Sequence, residues 1–335
     1  MADMGRLVLR TLLAGLSAVV LAAGPGGAAL AQGDAAQSYP SKAIRLVVGF
    51  GAGGGNDIFA RLIAPKLAER LGQPVLVDNK PGAGGTIAAD LVAKSAPDGY
   101  TLYVGATGAM TISPAVFSKL PYDTLRDFAP VSMIADFPLL LTVNVNAPVK
   151  TVQELVAYAK ANPAKANYAS SSPAFTLPTE QFKQKTGAPM ERINYKSSGE
   201  MLTAVVSGEV LMTIADVPPI MGHLKGGRVR ALAVLDKKRL GDLPDVPTMA
   251  EAGVPGLEVR LWSGLFAPAA TPAGVVKKLE AAMMAVIRLP DVSTNLKEKQ
   301  QVDPSGNTSE EFRRLVAAEL TRWAAIAKTA NIKLD

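Results

Sequence analysis

The sequence predicts an α/β protein with largely parallel sheets, and three observations support this fold class. Strand-like apolar runs alternate with helix-like runs over most of the chain. Two glycine-rich loops, at residues 50–57 and 81–85, each follow an apolar run and precede a helix-like run. About 300 residues follow an N-terminal export signal, which is enough for two domains with separate hydrophobic cores.

The first 31 residues are typical of a secretory signal peptide. Arg6 and Arg10 give a positive start, residues 12–23 form an apolar core, and residues 29–31 (ALA) match a cleavage sequence. We therefore expect cleavage after Ala31 and a soluble protein in the periplasm of a two-membrane bacterium. An uncleaved membrane anchor is the alternative, although the apolar core is shorter than the roughly 20 residues that a membrane span needs.

The first part of the mature chain predicts three strands and two helices. Asn56 or Asp57 can cap the first helix and Gly72 suits its end, whereas Pro65 should kink or shorten it. Strands are predicted at residues 44–48, 74–77 and 101–104, and the second helix at 86–94.

The remaining chain continues the alternation and ends in a helix. Thr308 and Glu311 form a capping-box pair at the start of that helix. Further elements are predicted as a helix at 151–160 and strands at 139–145, 166–170, 193–196, 210–215 and 228–234.

Composition argues for a binding role rather than catalysis. The formal net charge is +6, but the basic residues are scattered, so nucleic-acid binding has little support. One histidine and no cysteine leave only carboxylates as metal ligands, and we expect neither a metal nor a cofactor. His223 is expected at a helix end in a packing or surface role, and the serines at 170–172 have no evident base beside them.

The glycine loops admit three interpretations. Bare backbone N–H groups at the start of a helix can bind an anion. The first loop also partly matches a dinucleotide fingerprint, with Asp78 in the acidic position, but its third glycine is replaced by Asn56, so an oxidoreductase is the weaker reading. Tight turns alone would explain single glycines, but the two loops contain more glycines than tight turns need.

Several motifs together make the chain resemble the Bug receptors, the solute-binding components of tripartite tricarboxylate transporters in Gram-negative bacteria. The similarity runs from about Tyr39 to the C-terminus. Its landmarks are Phe50 with 53–57 (GGGND), 79–85 (NKPGAGG), 96–101 (APDGYT), 120–123 (LPYD) with 127–128 (DF), Tyr195 with Lys196, 230–234 (RALAV), 243–248 (LPDVPT), and Trp262 with 264–268 (GLFAP).

The resemblance implies a two-domain, type II periplasmic-binding-protein fold with the ligand in a cleft between domains. Domain I would comprise residues 32–138 and 258–335, and domain II residues 139–257. One carboxylate of a small organic acid would bind the two glycine loops, and domain II would hold the rest. The implied ligand-binding residues are Phe50, Gly53, Gly54, Gly55, Asn56, Asp57, Gly82, Ala83, Gly84, Gly85, Thr107, Gly108, Ser171, Ser172, Thr176, Tyr195, Lys196, Ser197 and Asp216.

Departures from the family pattern bear on specificity. Ala215 stands where the family usually has an acidic residue, and Asp216 follows one place later, which makes an aspartate contact doubtful. Phe175 either lines the cleft or packs in the core of domain II. The resemblance implies a monomeric, non-enzymatic receptor for a di- or tricarboxylate, an acidic amino acid or an aromatic acid, delivered to inner-membrane transporter subunits. The alternative is a receptor that contacts a membrane sensor kinase.

Overall fold

One long strand, β4 (Phe128–Asn144), joins the two ends of the sheet. The computed structural model describes residues 37–334. The first half of β4 pairs antiparallel with β9 (Arg260–Pro268). From Leu139 onward it pairs instead with β7 (Met212–Asp216) on one side and β8 (Val229–Val234) on the other. The sequence predicted only the second half of this strand.

The remaining strands complete a mixed sheet. They are β1 (Ile44–Val48), β2 (Val75–Asn79), β3 (Thr101–Ala106), β5 (Asn167–Ser170), β6 (Glu191–Asn194) and the short β10 (Asp303–Pro304). The strand order is β2-β1-β3-β9-β4-β7-β5-β6, with β8 and β10 also paired to β4. The α/β class is confirmed, but the expectation of largely parallel sheets is wrong at the centre. There β4 and β9 run antiparallel to their neighbours, whereas β1 with β2 and β3, and β5 with β6 and β7, are parallel.

Helices cover the sheet and begin near the carboxyl ends of its strands. They are α1 (Gly55–Leu71), α2 (Thr86–Ala93), α3 (Ser113–Val116), α4 (Thr124–Asp127), α5 (Val152–Ala161), α6 (Pro173–Thr186), α7 (Ser198–Ser207), α8 (Val217–Lys225), α9 (Ala273–Ile287), α10 (Pro290–Thr294) and α11 (Ser309–Thr329). Among the described residues, no helix is both long and apolar enough to cross a membrane.

Two expectations about α1 fail. Its N-cap is Gly54 rather than Asn56 or Asp57, so Asp57 lies in the first turn. The helix is also not shortened at Pro65 but continues to Leu71, because its buried face, which includes Phe59 and Ile63, packs on both sides of the proline and offsets the missing hydrogen bond. A kink at Pro65 stays a prediction. Gly72 does end the helix, in the left-handed conformation. The predicted capping box at Thr308 and Glu311 is present at α11.

An aromatic cluster fills the core beneath β3, β4 and β9. Trp262 and Phe312 meet edge to face at 5.1 Å between ring centroids, and Phe266 lies 5.0 Å from Phe312. The fully buried Phe128 and Tyr103 extend the cluster. Because Trp262 is also beside the site described below, this core fixes one wall of it.

From Pro40 onward the described chain forms one compact unit. β4 changes pairing partners between Pro138 and Leu139, where the predicted domain I ends. The division into two domains stays a prediction. The predicted signal peptide lies outside the described residues.

Candidate functional site

The first glycine loop connects β1 to α1 and is held by Asp57. The Asp57 carboxylate accepts hydrogen bonds from the Gly53 N–H at 3.0 Å, from Arg61 Nε at 3.0 Å and from Asn79 Nδ2 at 2.9 Å. Burial alone would raise the pKa of Asp57, but these hydrogen bonds and the Arg61 charge outweigh it and lower the pKa. Asn79 also donates to the Phe50 carbonyl. Asp57 therefore organises the loop from behind.

The second glycine loop lies directly against the first. Gly82, Gly84 and Gly85 have φ values of 146°, 64° and 96°, a region that disfavours residues with a Cβ. The buried Tyr103 hydroxyl donates to the Gly85 carbonyl at 3.0 Å, and burial raises the pKa of that hydroxyl well above its usual value. The loop can therefore approach the start of α6 closely.

A small space, which we call the inner cavity, lies where the first glycine loop meets α6, α7 and α8. Its volume is about 30 Å³, enough for one or two water molecules. Its lining is Phe50, Gly55, Asn56, Ala106, Thr107, Gly108, Phe137, Ser172, Ala174, Phe175, Ser198, Asp216, Leu261 and Trp262.

Helix N-termini provide the positive potential at the inner cavity. The N-caps of α1, α6 and α8 are Gly54, Ser172 and Asp216, and in none of them does the side chain accept from the helix. The Gly55 N–H at the start of α1 donates to Asp216, and Pro173 and Pro218 have no N–H, so the remaining first-turn donors are backbone groups such as those of Asn56 and Ala174. No lysine or arginine lines the cavity. An anion there would be stabilised by backbone donors and helix dipoles.

The two sides of the cavity touch through glycines. The Gly55 N–H donates to Asp216 Oδ2 at 3.0 Å. A Cβ on Gly55 would lie 2.1 Å from that oxygen, one on Gly84 would lie 2.9 Å from Pro173 Cδ, and one on Gly108 would lie 3.1 Å from Ala174 Cβ. An alanine at Gly55 would displace the Asp216 carboxylate, and one at Gly84 would collide with the ring of Pro173.

Three residues that line the cavity carry buried polar atoms without a hydrogen-bond partner. These atoms are Asn56 Oδ1, Asp216 Oδ1 and Trp262 Nε1. Unpaired buried polar atoms are costly, which is typical of a site completed by a ligand. Burial raises the pKa of Asp216, although hydrogen bonds from Ser198 and from backbone N–H groups, including that of Gly55, oppose the effect.

Several predicted hydroxyl groups are already used within the protein. Thr107 Oγ1 donates to the Trp262 carbonyl at 3.1 Å and accepts from its N–H at 2.6 Å, so it joins β3 to β9. Thr176 Oγ1 lies 2.7 Å from Ser170 Oγ. Ser197 Oγ caps α7 by accepting from the Glu200 N–H. These side chains position the walls of the site.

The predicted residues are distributed over three neighbouring surfaces. The inner cavity includes Phe50, Gly55, Asn56, Thr107, Gly108, Ser172 and Asp216. A second space, which we call the outer groove, is lined by Ala83, Gly84, Phe117, Ser171, Ser172, Pro173, Thr176, Arg192, Asn194, Tyr195 and Leu334. A third depression, beside α7, contains Tyr195 and Ser197. The predicted residues that line none of these three are Gly53, Gly54, Asp57, Gly82, Gly85 and Lys196.

Sequence reasoning missed several walls of the inner cavity. Phe137 and Leu261 lie on the two antiparallel strands at the centre of the sheet, and Ser198 follows a helix cap. Ser198 is next to the predicted Ser197 and Leu261 is next to the motif residue Trp262, whereas no sequence signal pointed to Phe137. Phe175, for which two positions were open, lines the cavity.

Comparison with known proteins identifies the family. The model of the tripartite tricarboxylate transporter family receptor matches residues 59–332. Protein BugT of Bordetella pertussis is 35% identical over 92% of this chain and 95% of its own length. A structure from R. palustris solved with adipate is 38% identical, with a TM-score of 0.84 over 88% of this chain and 99% of that one.

A second solved structure is also similar to this chain in sequence and in fold. MatC from Rhodopseudomonas palustris, solved with bound malate, is 33% identical, with a TM-score of 0.83 over 86% of this chain and 99% of that one. Since members of this family are periplasmic solute receptors and not enzymes, the oxidoreductase interpretation is set aside. The chain thus belongs to the tripartite tricarboxylate transporter family receptors, the Bug-type solute-binding proteins.

Proposed function

We propose that this receptor works in the periplasm, binds a small organic carboxylate with one carboxyl group in the inner cavity, and delivers it as a monomer to the inner-membrane subunits of a tripartite transporter. The observation that carries the proposal is the convergence of the N-termini of α1, α6 and α8 on a cavity that no lysine or arginine lines. This arrangement suits an anion with good hydrogen-bond acceptors.

The available energy is consistent with such a ligand. A helix N-terminus stabilises a nearby negative charge by about 0.3–1 kcal/mol when exposed and up to about 2 kcal/mol when partly buried. Three of them would contribute a few kcal/mol. The walls formed by Phe137, Phe175 and Leu261 would bury apolar carbon at about 0.8 kcal/mol per methylene.

The relatives support the same class of ligand. The two solved relatives described above hold adipate and malate, which are both dicarboxylates. The predicted signal peptide supports export. Delivery to a transporter rests on the family alone.

Ligand entry requires the two sides of the cavity to separate. A space of about 30 Å³ cannot hold a four- or six-carbon acid. The contacts that must open are those of Gly55 with Asp216, Gly84 with Pro173 and Gly108 with Ala174. Hinge motion at the strands that join the two ends of the sheet would achieve this, and a ligand would favour closure through contacts on both sides.

Thermal unfolding of the mature protein across a panel of carboxylates tests the proposal. A ligand that binds only the folded state raises the melting temperature as its concentration exceeds Kd. We expect a rise with one class of acid and no rise with its neutral amide, because the site recognises negative charge. Equal responses to acid and amide, or no response to any acid by a folded, ligand-free protein, would contradict the proposal.

A further inference from the structure

The outer groove adjoins the inner cavity, and the two share Ser172. The volume of the outer groove is about 270 Å³, far larger than that of the inner cavity. One side is the second glycine loop, with Ala83 and Gly84, and the other is the start of α6 with the end of β6. Because Ser172 borders both spaces, a ligand that reached from one to the other would pass this residue.

Arg192 is the one charged residue that lines the outer groove among the described residues. It lies on β6, which pairs in parallel with β5, so its backbone is held in the sheet. Its side chain is exposed, and no ion pair joins it to any residue between 37 and 334. The nearby acid, Glu180, already accepts from the Tyr168 hydroxyl at 2.6 Å and from Lys183 Nζ at 2.9 Å. The Arg192 guanidinium is thus available to a ligand.

Ser171 supplies an independent indication that the groove binds something polar. Its residue exposure is 8%, and its Oγ is buried without a hydrogen-bond partner. Ser171 lines the outer groove beside Ser172. A buried hydroxyl with no partner is uncommon in folded proteins, and a ligand oxygen would satisfy it.

We infer that the outer groove is a second acid subsite, in which Arg192 and Ser171 bind the distal carboxylate of a dicarboxylic acid whose carbon chain passes Ser172. The inference rests on the proposed function, because it assumes that the first carboxylate is held in the inner cavity. Arginine suits this role since its planar fork binds a carboxylate through two parallel hydrogen bonds. Arg192 then determines specificity for acids with a charge at both ends.

The test compares adipate with hexanoate, which has the same six carbons and one carboxyl group fewer. Calorimetric titration of the mature protein should give at least about tenfold tighter binding of adipate, the size expected for one charge-assisted contact. Arg192→Gln should remove that preference and leave the Kd for hexanoate unchanged. Arg192→Lys should keep part of it, and Ser171→Ala should weaken adipate binding alone.

A matched variant removes a positive charge elsewhere. Arg70→Gln alters the far end of α1, about 22 Å along the helix from Gly55, and Arg70 lines neither the inner cavity nor the outer groove. It should keep the preference for adipate. Equal binding of the two acids by the unaltered protein, or an unchanged preference in Arg192→Gln, would overturn the subsite and leave the proposed function standing. Failure of both acids to bind, when another acid of the panel does bind, would overturn the subsite alone, and failure of every acid of the panel would overturn the two together.

Discussion

Replacement of Gly55 by alanine should block ligand binding without harming the fold. The new Cβ would lie 2.1 Å from Asp216 Oδ2, so the buried Asp216 carboxylate must shift by about 0.9 Å to reach 3.0 Å, below which real Cβ contacts essentially never occur. The backbone itself tolerates alanine, because Gly55 begins a helix and has no positive φ. Alanine at such a position stabilises the folded state slightly.

The magnitude follows from the contact that is lost. The Gly55 N–H to Asp216 hydrogen bond, at 3.0 Å, is lost when the carboxylate is displaced, because the clashing oxygen is the one that accepts it, and a buried group is left unpaired. That costs about 1–3 kcal/mol, equivalent to a loss of affinity of about 5- to 150-fold. Gly54→Ala is the control, since its Cβ would meet Gly51 O and Ser198 Oγ at 3.5 and 3.6 Å, which are ordinary contacts.

A double-mutant cycle isolates the collision. In an Asp216→Ala background the clashing carboxylate is absent, and the nearest remaining side-chain atom, Cβ of residue 216, lies 3.8 Å from the new methyl group. Calorimetric titration with the best acid of the panel should then show little additional loss from Gly55→Ala. An equal loss in both backgrounds, or none in the unaltered background, would refute the steric argument.

Three further predictions concern charged groups. Asp57→Asn should lower the unfolding free energy by about 1–2 kcal/mol, as urea unfolding would show. Because the pKa of Asp57 is lowered in the folded protein, the stability that the ionised Asp57 adds to the unaltered protein should disappear as the pH falls below 3.8. Asp216 should show the opposite pH dependence, because burial raises its pKa and the folded state therefore gains stability as the pH falls. Asp216→Asn removes the buried charge, so it should stabilise the protein more at pH 7 than at pH 4. Arg260→Met should cost about 1.5–3 kcal/mol, since Arg260 pairs with three aspartates near the strand crossings, including Asp136 at 2.7 Å. Burial raises the pKa of Asp136, so this carboxyl gains a proton first on acidification and the cost should shrink at pH 4. A cost that grows on acidification would contradict the last assignment.

The sequence predicts those features that depend on neighbouring residues. The bounds of β1, the end of α1 at Gly72 and the capping box of α11 each follow from local patterns and agree with the structure. The first half of β4 was missed because it contains Pro130 and Pro138 and its partner strand, β9, lies more than 100 residues further along the chain. Nothing local to that segment indicates the pairing.

The candidate site likewise combines local features, which the sequence predicts, with long-range contacts, which it does not. The glycine loops were recognisable because their backbone conformations demand glycine. The contact of Gly55 with Asp216 joins residues 161 positions apart, and the shift of the acidic residue by one position made its role doubtful from the sequence. Asp57 is the opposite case, because its sequence motif is easy to recognise but does not mark a side chain in the cavity. Its carboxylate contacts Arg61 and Asn79 instead.

Asp216 links the charge of the site to its selectivity. Its carboxyl group already accepts from the Gly55 N–H and from Ser198, at the place where backbone donors would hold a ligand carboxylate. Two ionised carboxylates cannot share a buried, apolar-walled site at low cost. Because burial raises the pKa of Asp216, the protonated form is the one that fits beside an anion, and its unpartnered Oδ1 is then available to pair with it. Binding of a carboxylate should therefore take up a proton, whereas a neutral solute would leave Asp216 as it is.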